Sequence, residues 1–307
     1  MTESTINEDS LKQELAEILN DKIISANNFD ISIKKTKLVM SGGGVKGIAH
    51  VGGLKALSEM GILENIDTFA GTSIGGFIAA LVVIGYSYEE LYDIISGIDL
   101  NKMKKRINFD NLLKLFGLDD GTGMEIVLEK MFKAKGFNPG INFLELYNKT
   151  GKTLIISTSC LNDKKAYYYS HTTFPEMGVI MAIRMSISIP LYFTPVRYKG
   201  KTFVDGGCID NYPIQLFNHC LDEVIGLYLT DIRDNIEDIK NIEDLLIHIM
   251  ECLFEGITCN SLKGYEKYSV KISLKQVSVI DFHIDQLTKK KLFDTGYEAV
   301  RSKFNIY

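Results

Sequence analysis

Short apolar runs alternate with longer stretches of helical period along most of this chain, and that alternation sets the expected fold. Strand-like runs fall at Lys37 to Met40, Ile66 to Ala70, Thr153 to Cys160, Lys165 to Tyr169, Thr202 to Asp205, Val224 to Thr230 and Ser269 to Leu274. Between them, helical spacing is read over Glu8 to Leu19, Val45 to Met60, Ile74 to Ile84, Tyr88 to Ile95, Gly123 to Lys133, Phe174 to Ser186, Ile242 to Phe254 and Gln286 to Phe304. Strands separated by helices predict an α/β fold, with a mainly parallel central sheet covered by helices on both faces. No Pro/Gly/Ser-rich tract or internal repeat divides the chain. Residues 36–307 therefore read as one domain, and residues 1–35 as an N-terminal helix and loop extension.

Three junctions in this pattern carry candidate chemistry. Ser73 lies in Gly71-Thr72-Ser73-Ile74-Gly75, between the apolar runs Ile66 to Ala70 and Phe77 to Ile84. A strand that breaks sharply into a helix lifts a serine hydroxyl above the sheet, and flanking glycines remove side chains that would collide in the turn. The amides at the helix start point at the same spot. Such turns also serve packing alone, so the motif admits both readings. Upstream, Ser41-Gly42-Gly43-Gly44-Val45-Lys46-Gly47 leaves the strand run and opens a helical stretch. Bare amides there suit the negative charge that builds on a carbonyl oxygen during ester or amide hydrolysis. The competing reading is a nucleotide loop. A P-loop ending is missing because Gly47 follows Lys46, but Gly42, Gly44 and Gly47 satisfy Gly-x-Gly-x-x-Gly, with Asp67 as a nominal ribose acid. The third junction is Asp205-Gly206-Gly207, followed by Asp210-Asn211-Tyr212-Pro213-Ile214. An aspartate at a strand end either turns its carboxylate into a cleft or begins an ordinary turn.

Together these three blocks, in this order, resemble the patatin-like phospholipases. The resemblance extends over Lys46 to Leu54 and over Ser186-Ile187-Ser188-Ile189-Pro190-Leu191-Tyr192-Phe193-Thr194-Pro195-Val196, and so covers about Lys37 to Ile214. It implies a serine acyl hydrolase that cleaves carboxylic esters of phospholipids or lysophospholipids through a Ser–Asp dyad and an acyl-enzyme, with no cofactor and no metal. Carried over, Ser73 is the nucleophile, Asp205 the general base, and the amides around Gly43, Gly44 and Val45 the oxyanion hole. Two departures stand out: Lys46, where the family more often has arginine, and Ser188, where alanine is usual. A lipid-binding or regulatory protein of the same fold is the non-catalytic alternative. A Ser-Asp-His triad is a further one, because Ser73, Asp205 and His283 obey the chain order of α/β-hydrolases. His50, His171, His219 and His248 show no metal-ligand spacing with one another.

Composition narrows the picture. At 307 residues and 46% hydrophobic, the chain can bury a sizeable core, and a net charge of −5 with both signs interspersed gives no field that favours nucleic acid. Cys160, Cys208, Cys220, Cys252 and Cys259 form no C-x-x-C pair, and the N-terminus is polar. Free thiols and no apparent signal sequence lead us to expect a cytoplasmic protein. Phe77 to Ile84 is too short to span a bilayer. Within residues 100–121, Lys102, Met103, Lys104, Lys105 and Arg106 precede Phe109, Leu112, Leu113, Leu115 and Phe116. This reads as a lid or peripheral membrane contact, or as a solvated charge run before a core helix.

Overall fold

A computed structural model describes residues 32–97, 112, 114–232, 239, 242–275 and 284–305. The helix expected over Glu8 to Leu19, the basic run Lys102 to Arg106, and His283 lie outside the described residues.

Five strands, β1 (Lys37–Met40), β2 (Thr68–Thr72), β4 (Thr153–Cys160), β9 (Val224–Ile232) and β10 (Ser269–Lys275), run parallel in the order β10-β9-β1-β2-β4. Past β4 the sheet turns antiparallel, through β5 (Lys165–Tyr169), β7 (Val196–Tyr198) and β8 (Lys201–Asp205). The sheet is thus mixed, with its parallel part central. A separate pair joins β3 (Gly117–Asp119) to β6 (Leu191–Phe193).

Register explains how the sheet prepares a site. Ser157 pairs with Thr72 of β2 and with Tyr168 of β5, so those two strands lie on opposite edges of β4. Thr158 pairs with Asp205 of β8 and with Tyr167 of β5, which puts β8 on the same edge as β2. One strand runs up that edge and stops at Thr72; the other runs down it and stops at Asp205. Their C-terminal ends meet head to head.

Side-chain alternation along the strands sorts the core onto two faces. Leu38, Met40, Phe69, Ile225 and Leu227 lie in one cluster with residues of α1 (Ile48–Glu59), α2 (Ile74–Val83) and α8 (Gln286–Lys303). The opposite face carries Val39, Ala70, Val224 and Tyr228, packed against Tyr212, Ile214 and Phe217. A 3₁₀ turn, Pro213–Phe217, covers part of that second face where helices were expected. At the crossing of α1 and α8, a Cβ on Gly52 would overlap the Phe293 carbonyl and one on Gly296 the Ala49 carbonyl, so only glycine permits this approach. The other α-helices among the described residues are α3 (Tyr88–Gly97), α4 (Thr122–Ala134), α5 (Phe143–Thr150), α6 (Val179–Ser186) and α7 (Ile242–Leu262). Among the described residues no helix is long and apolar enough to cross a membrane.

Candidate active site

At the top of β2 the chain enters α2 through Ser73, whose φ of 53° and ψ of −125° belong to a strained turn. Gly71 and Gly75 permit it. A Cβ on Gly71 would sit 2.5 Å from backbone atoms of Gly75 and Gly76, and one on Gly75 would press on the Met40 and Ser41 carbonyls. Two bonds hold the elbow. The Ser73 N–H donates to Ser186 Oγ at 2.8 Å, and the Ser186 hydroxyl donates to the Ser157 carbonyl at 2.6 Å. Ser186 is completely buried at the end of α6 and ties the nucleophile's own amide to β4.

Ser73 Oγ–H donates to Asp205 Oδ2 at 2.6 Å, while Asp205 Oδ1 accepts the Gly207 N–H at 2.8 Å. Burial pushes the Asp205 carboxyl up to about 7, against the opposing pull of its bonds from Ser73 and Gly207. A carboxyl so placed is available as a base near neutral pH. The Asp205 N–H is fixed on the Ser188 carbonyl at 2.9 Å. Ser188, the departure from alanine, turns its hydroxyl onto the Arg184 carbonyl at 2.6 Å and accepts from the buried Arg184 guanidinium. The extra oxygen thus both donates and accepts within its own segment.

The glycine loop packs directly beside the elbow. Gly42 donates to the Asn211 carbonyl at 3.0 Å, and a Cβ on Gly42 would lie 3.3 Å from Ser73 Cβ and would overlap the Asn211 amide oxygen. Gly44 has φ 57° and begins a 3₁₀ turn, Gly44–Gly47, in which the Lys46 N–H folds back onto the Gly43 carbonyl at 3.2 Å. The amides that precede such a turn have no partner within it and point outward from the helix start. Below the loop, His50 Nε2 lies 2.8 Å from the Ser41 carbonyl, and burial holds the imidazole neutral by lowering its pKa to about 4. His50 is therefore a core histidine that braces the loop.

A cavity of about 330 Å³ opens above Ser73 and Asp205. Gly42, Gly43 and Gly44 form one side, Ile189 and Leu229 line it, and α7 closes it with Glu251, Phe254, Glu255 and Thr258. Asn211 Nδ2 donates to Thr258 Oγ1 at 2.8 Å and pins that helix over the site.

The structure thus brings together Ser73, Asp205, Gly43 and Gly44. It separates Asp67 from them. Asp67 precedes β2 and donates its N–H to the Thr36 carbonyl, at the end of the sheet opposite the glycine loop. The acid of a dinucleotide fold sits at the carboxyl end of its strand, so the Gly-x-Gly-x-x-Gly reading is corrected. Ser186, Asn211 and the α7 wall were not singled out in the sequence. Ser186 and Asn211 stand inside recognisable blocks, but their contacts with Ser73, Ser157 and Thr258 are long-range and have no local signature.

The family model described as Patatin-like phospholipase matches residues 38–218. This chain belongs to the patatin-like phospholipase family. The Bacillus subtilis protein YqhO is 32% identical over 283 residues, spanning 84% of this chain and 94% of that one. The probable lipid hydrolase 463L of Invertebrate iridescent virus 6 is 31% identical over 64% of this chain and 69% of its own length. Among solved structures, VipD from Legionella pneumophila superimposes with a TM-score of 0.62 at 17% identity, over 89% of this chain and 67% of VipD. That last likeness concerns the fold. Family membership places the chain among the lipid hydrolases.

Proposed function

We propose that this patatin-like protein hydrolyses carboxylic esters of phospholipids or lysophospholipids through a Ser73–Asp205 dyad and an acyl-enzyme. The observation that carries the reading is the 2.6 Å bond from Ser73 Oγ to Asp205 Oδ2 on the floor of the cavity. As Oγ attacks the ester carbonyl, Asp205 takes its proton, and the developing oxyanion meets the amides of Gly43, Gly44 and Val45. Collapse expels the alcohol, which leaves with the proton from Asp205. Water then attacks the acyl carbonyl with Asp205 again as base, releasing the fatty acid and restoring Ser73. A carboxyl with a pKa near 7 accepts and returns a proton readily at neutral pH.

Direct contact between Ser73 and Asp205 leaves no imidazole between them, which favours the dyad over a triad through His283. All five cysteines are free, in keeping with a reducing, cytoplasmic setting. The test is to incubate the protein with mixed phospholipid vesicles and identify released fatty acids and lysolipids by mass spectrometry, with Ser73→Ala as the comparison. Release that persists in folded Ser73→Ala would sink the proposal.

A further inference from the structure

Helix α7 (Ile242–Leu262) carries an apolar stripe on its outer side as well as apolar residues toward the core. A surface helix ordinarily turns its apolar stripe to the core and its charges to water. Here the exposed positions of α7 whose side chains are described are Leu245, Ile249, Cys252, Leu253, Gly256, Cys259 and Asn260, and none carries a charge. Leu245, Ile249 and Leu253 follow one another at intervals of four, one above the next on a single face, and are 38%, 47% and 56% exposed. The acids Glu251 and Glu255 point the other way, into the catalytic cavity. The helix is held by polar and aromatic contacts on its inner side: Asn211 to Thr258, and Phe254 against the cluster of Ile189, Tyr192 and Phe193. Leu115 and Phe116, 43% and 58% exposed, lead into β3, whose partner β6 contains Tyr192 and Phe193 of that same cluster.

Packing does not account for the outward leucine and isoleucine, because they touch water while the acids face the cavity. What distinguishes this face is its place. It borders the cavity over Ser73, since Cys252, exposed on α7, also lines that cavity, and a lipid hydrolase draws its substrate from an aggregate that has to lie against the cavity opening. An aggregate surface supplies the apolar phase that such a stripe lacks in water.

We propose that the outer face of α7 docks on the surface of a lipid aggregate, with Leu245, Ile249 and Leu253 entering it and the cavity mouth held against it. The proposal deepens the hydrolase reading and rests on it for the choice of partner. Because none of the described exposed side chains of α7 is charged, docking is apolar and nearly independent of ionic strength, unlike attraction of a basic segment to anionic headgroups.

The experiment uses the full chain, with Ile249→Glu/Leu253→Glu as the docking variant and Leu287→Glu, exposed on α8, as the control. Sedimentation with phosphatidylcholine vesicles at low and high salt measures docking. Hydrolysis of those vesicles and of a soluble short-chain ester measures chemistry, and sedimentation velocity without lipid measures self-association. The docking variant should lose about tenfold or more in vesicle binding at both salt concentrations, since two apolar side chains no longer enter the lipid. Its vesicle hydrolysis should fall in step while soluble-ester turnover stays near wild type, and Leu287→Glu should match wild type throughout. Unchanged vesicle binding overturns the proposal. So does binding that collapses with salt, which would move docking to a charged segment such as Lys102 to Arg106, or a wild-type dimer that the variant abolishes, which would make the face a contact with a second copy. If no ester is hydrolysed by any protein, the catalytic reading fails, and sedimentation alone still decides the docking face.

Discussion

Asp205→Asn separates the two things that burial does to this carboxyl. Asparagine keeps the shape, and its amide can accept the Gly207 N–H through Oδ1 and donate to Ser73 Oγ through Nδ2, so both bonding positions stay filled. What disappears is the ionised base. Turnover should fall by about a thousandfold or more. The wild-type pKa, moved by burial from 3.8 to about 7, also carries a stability consequence. Because the folded pKa lies above the unfolded one, the native state holds its proton more tightly and stability declines as pH rises from about 4 to 7. Above pH 7 the buried carboxylate carries its full penalty, about 4 kcal/mol from a shift of this size. Asp205→Asn, which has no charge to bury, should therefore be more stable than wild type at pH 8 to 9, and that advantage should shrink steadily toward pH 4. Urea unfolding of both proteins across this range measures the difference. The same ionisation governs chemistry in the opposite sense, so wild-type kcat/KM should rise with pH to a plateau above about 7. An Asn variant that is less stable than wild type at pH 8 to 9, or a stability difference that ignores pH, would refute the account of Asp205 as a buried base. Retained turnover in the Asn variant would do the same.

Three more outcomes are expected. Ser73→Ala should abolish turnover and labelling by a serine-directed fluorophosphonate, and Ser73→Ala/Asp205→Asn should be scarcely slower than either single variant, because residues that act as a unit lose their effect together; additive losses would separate the two roles. Gly43→Val points its side chain at Leu229 Cδ1, 2.7 Å from the Cβ position, and crowds the cavity beside the loop amides; kcat should drop on the order of a hundredfold while the far-ultraviolet dichroism stays native, and near-normal turnover in a folded variant would remove the loop from the mechanism. His283→Ala should keep most of its activity, whereas a folded His283→Ala protein as inactive as Ser73→Ala would overturn the dyad.

The helices and strands that frame the nucleophile were legible because their signals are local. The apolar run before Ser73 became Thr68–Thr72, shifted by two residues from Ile66 to Ala70, and the helical stretch after Gly44 divided into a 3₁₀ turn and α1. Elements set by tertiary pairing were not legible. β3 and β6 are three residues each and exist through each other, and neither has enough length to show a period. α5 is different, since its capping box of Asn142 and Glu145 is a local signal that stands in the sequence.

Motifs supplied Ser73, Asp205 and the glycine loop but could not supply the distance between them. That distance comes from the register on β4: Thr72 opposite Ser157 and Asp205 opposite Thr158 leave the ends of two oppositely directed strands facing each other across one residue step. Neighbouring residues in a strand are about 3.3 Å apart, which brings a serine just past the end of one strand within reach of a carboxylate that closes the other. The head-to-head ends also explain the glycines around them. A Cβ on Gly206 would lie 2.5 Å from the Ser157 carbonyl and 2.8 Å from Thr72 Cγ2, so a side chain there would wedge the two strand ends apart and pull Asp205 off Ser73. The dyad is thus a property of one shared strand edge rather than of two separate motifs.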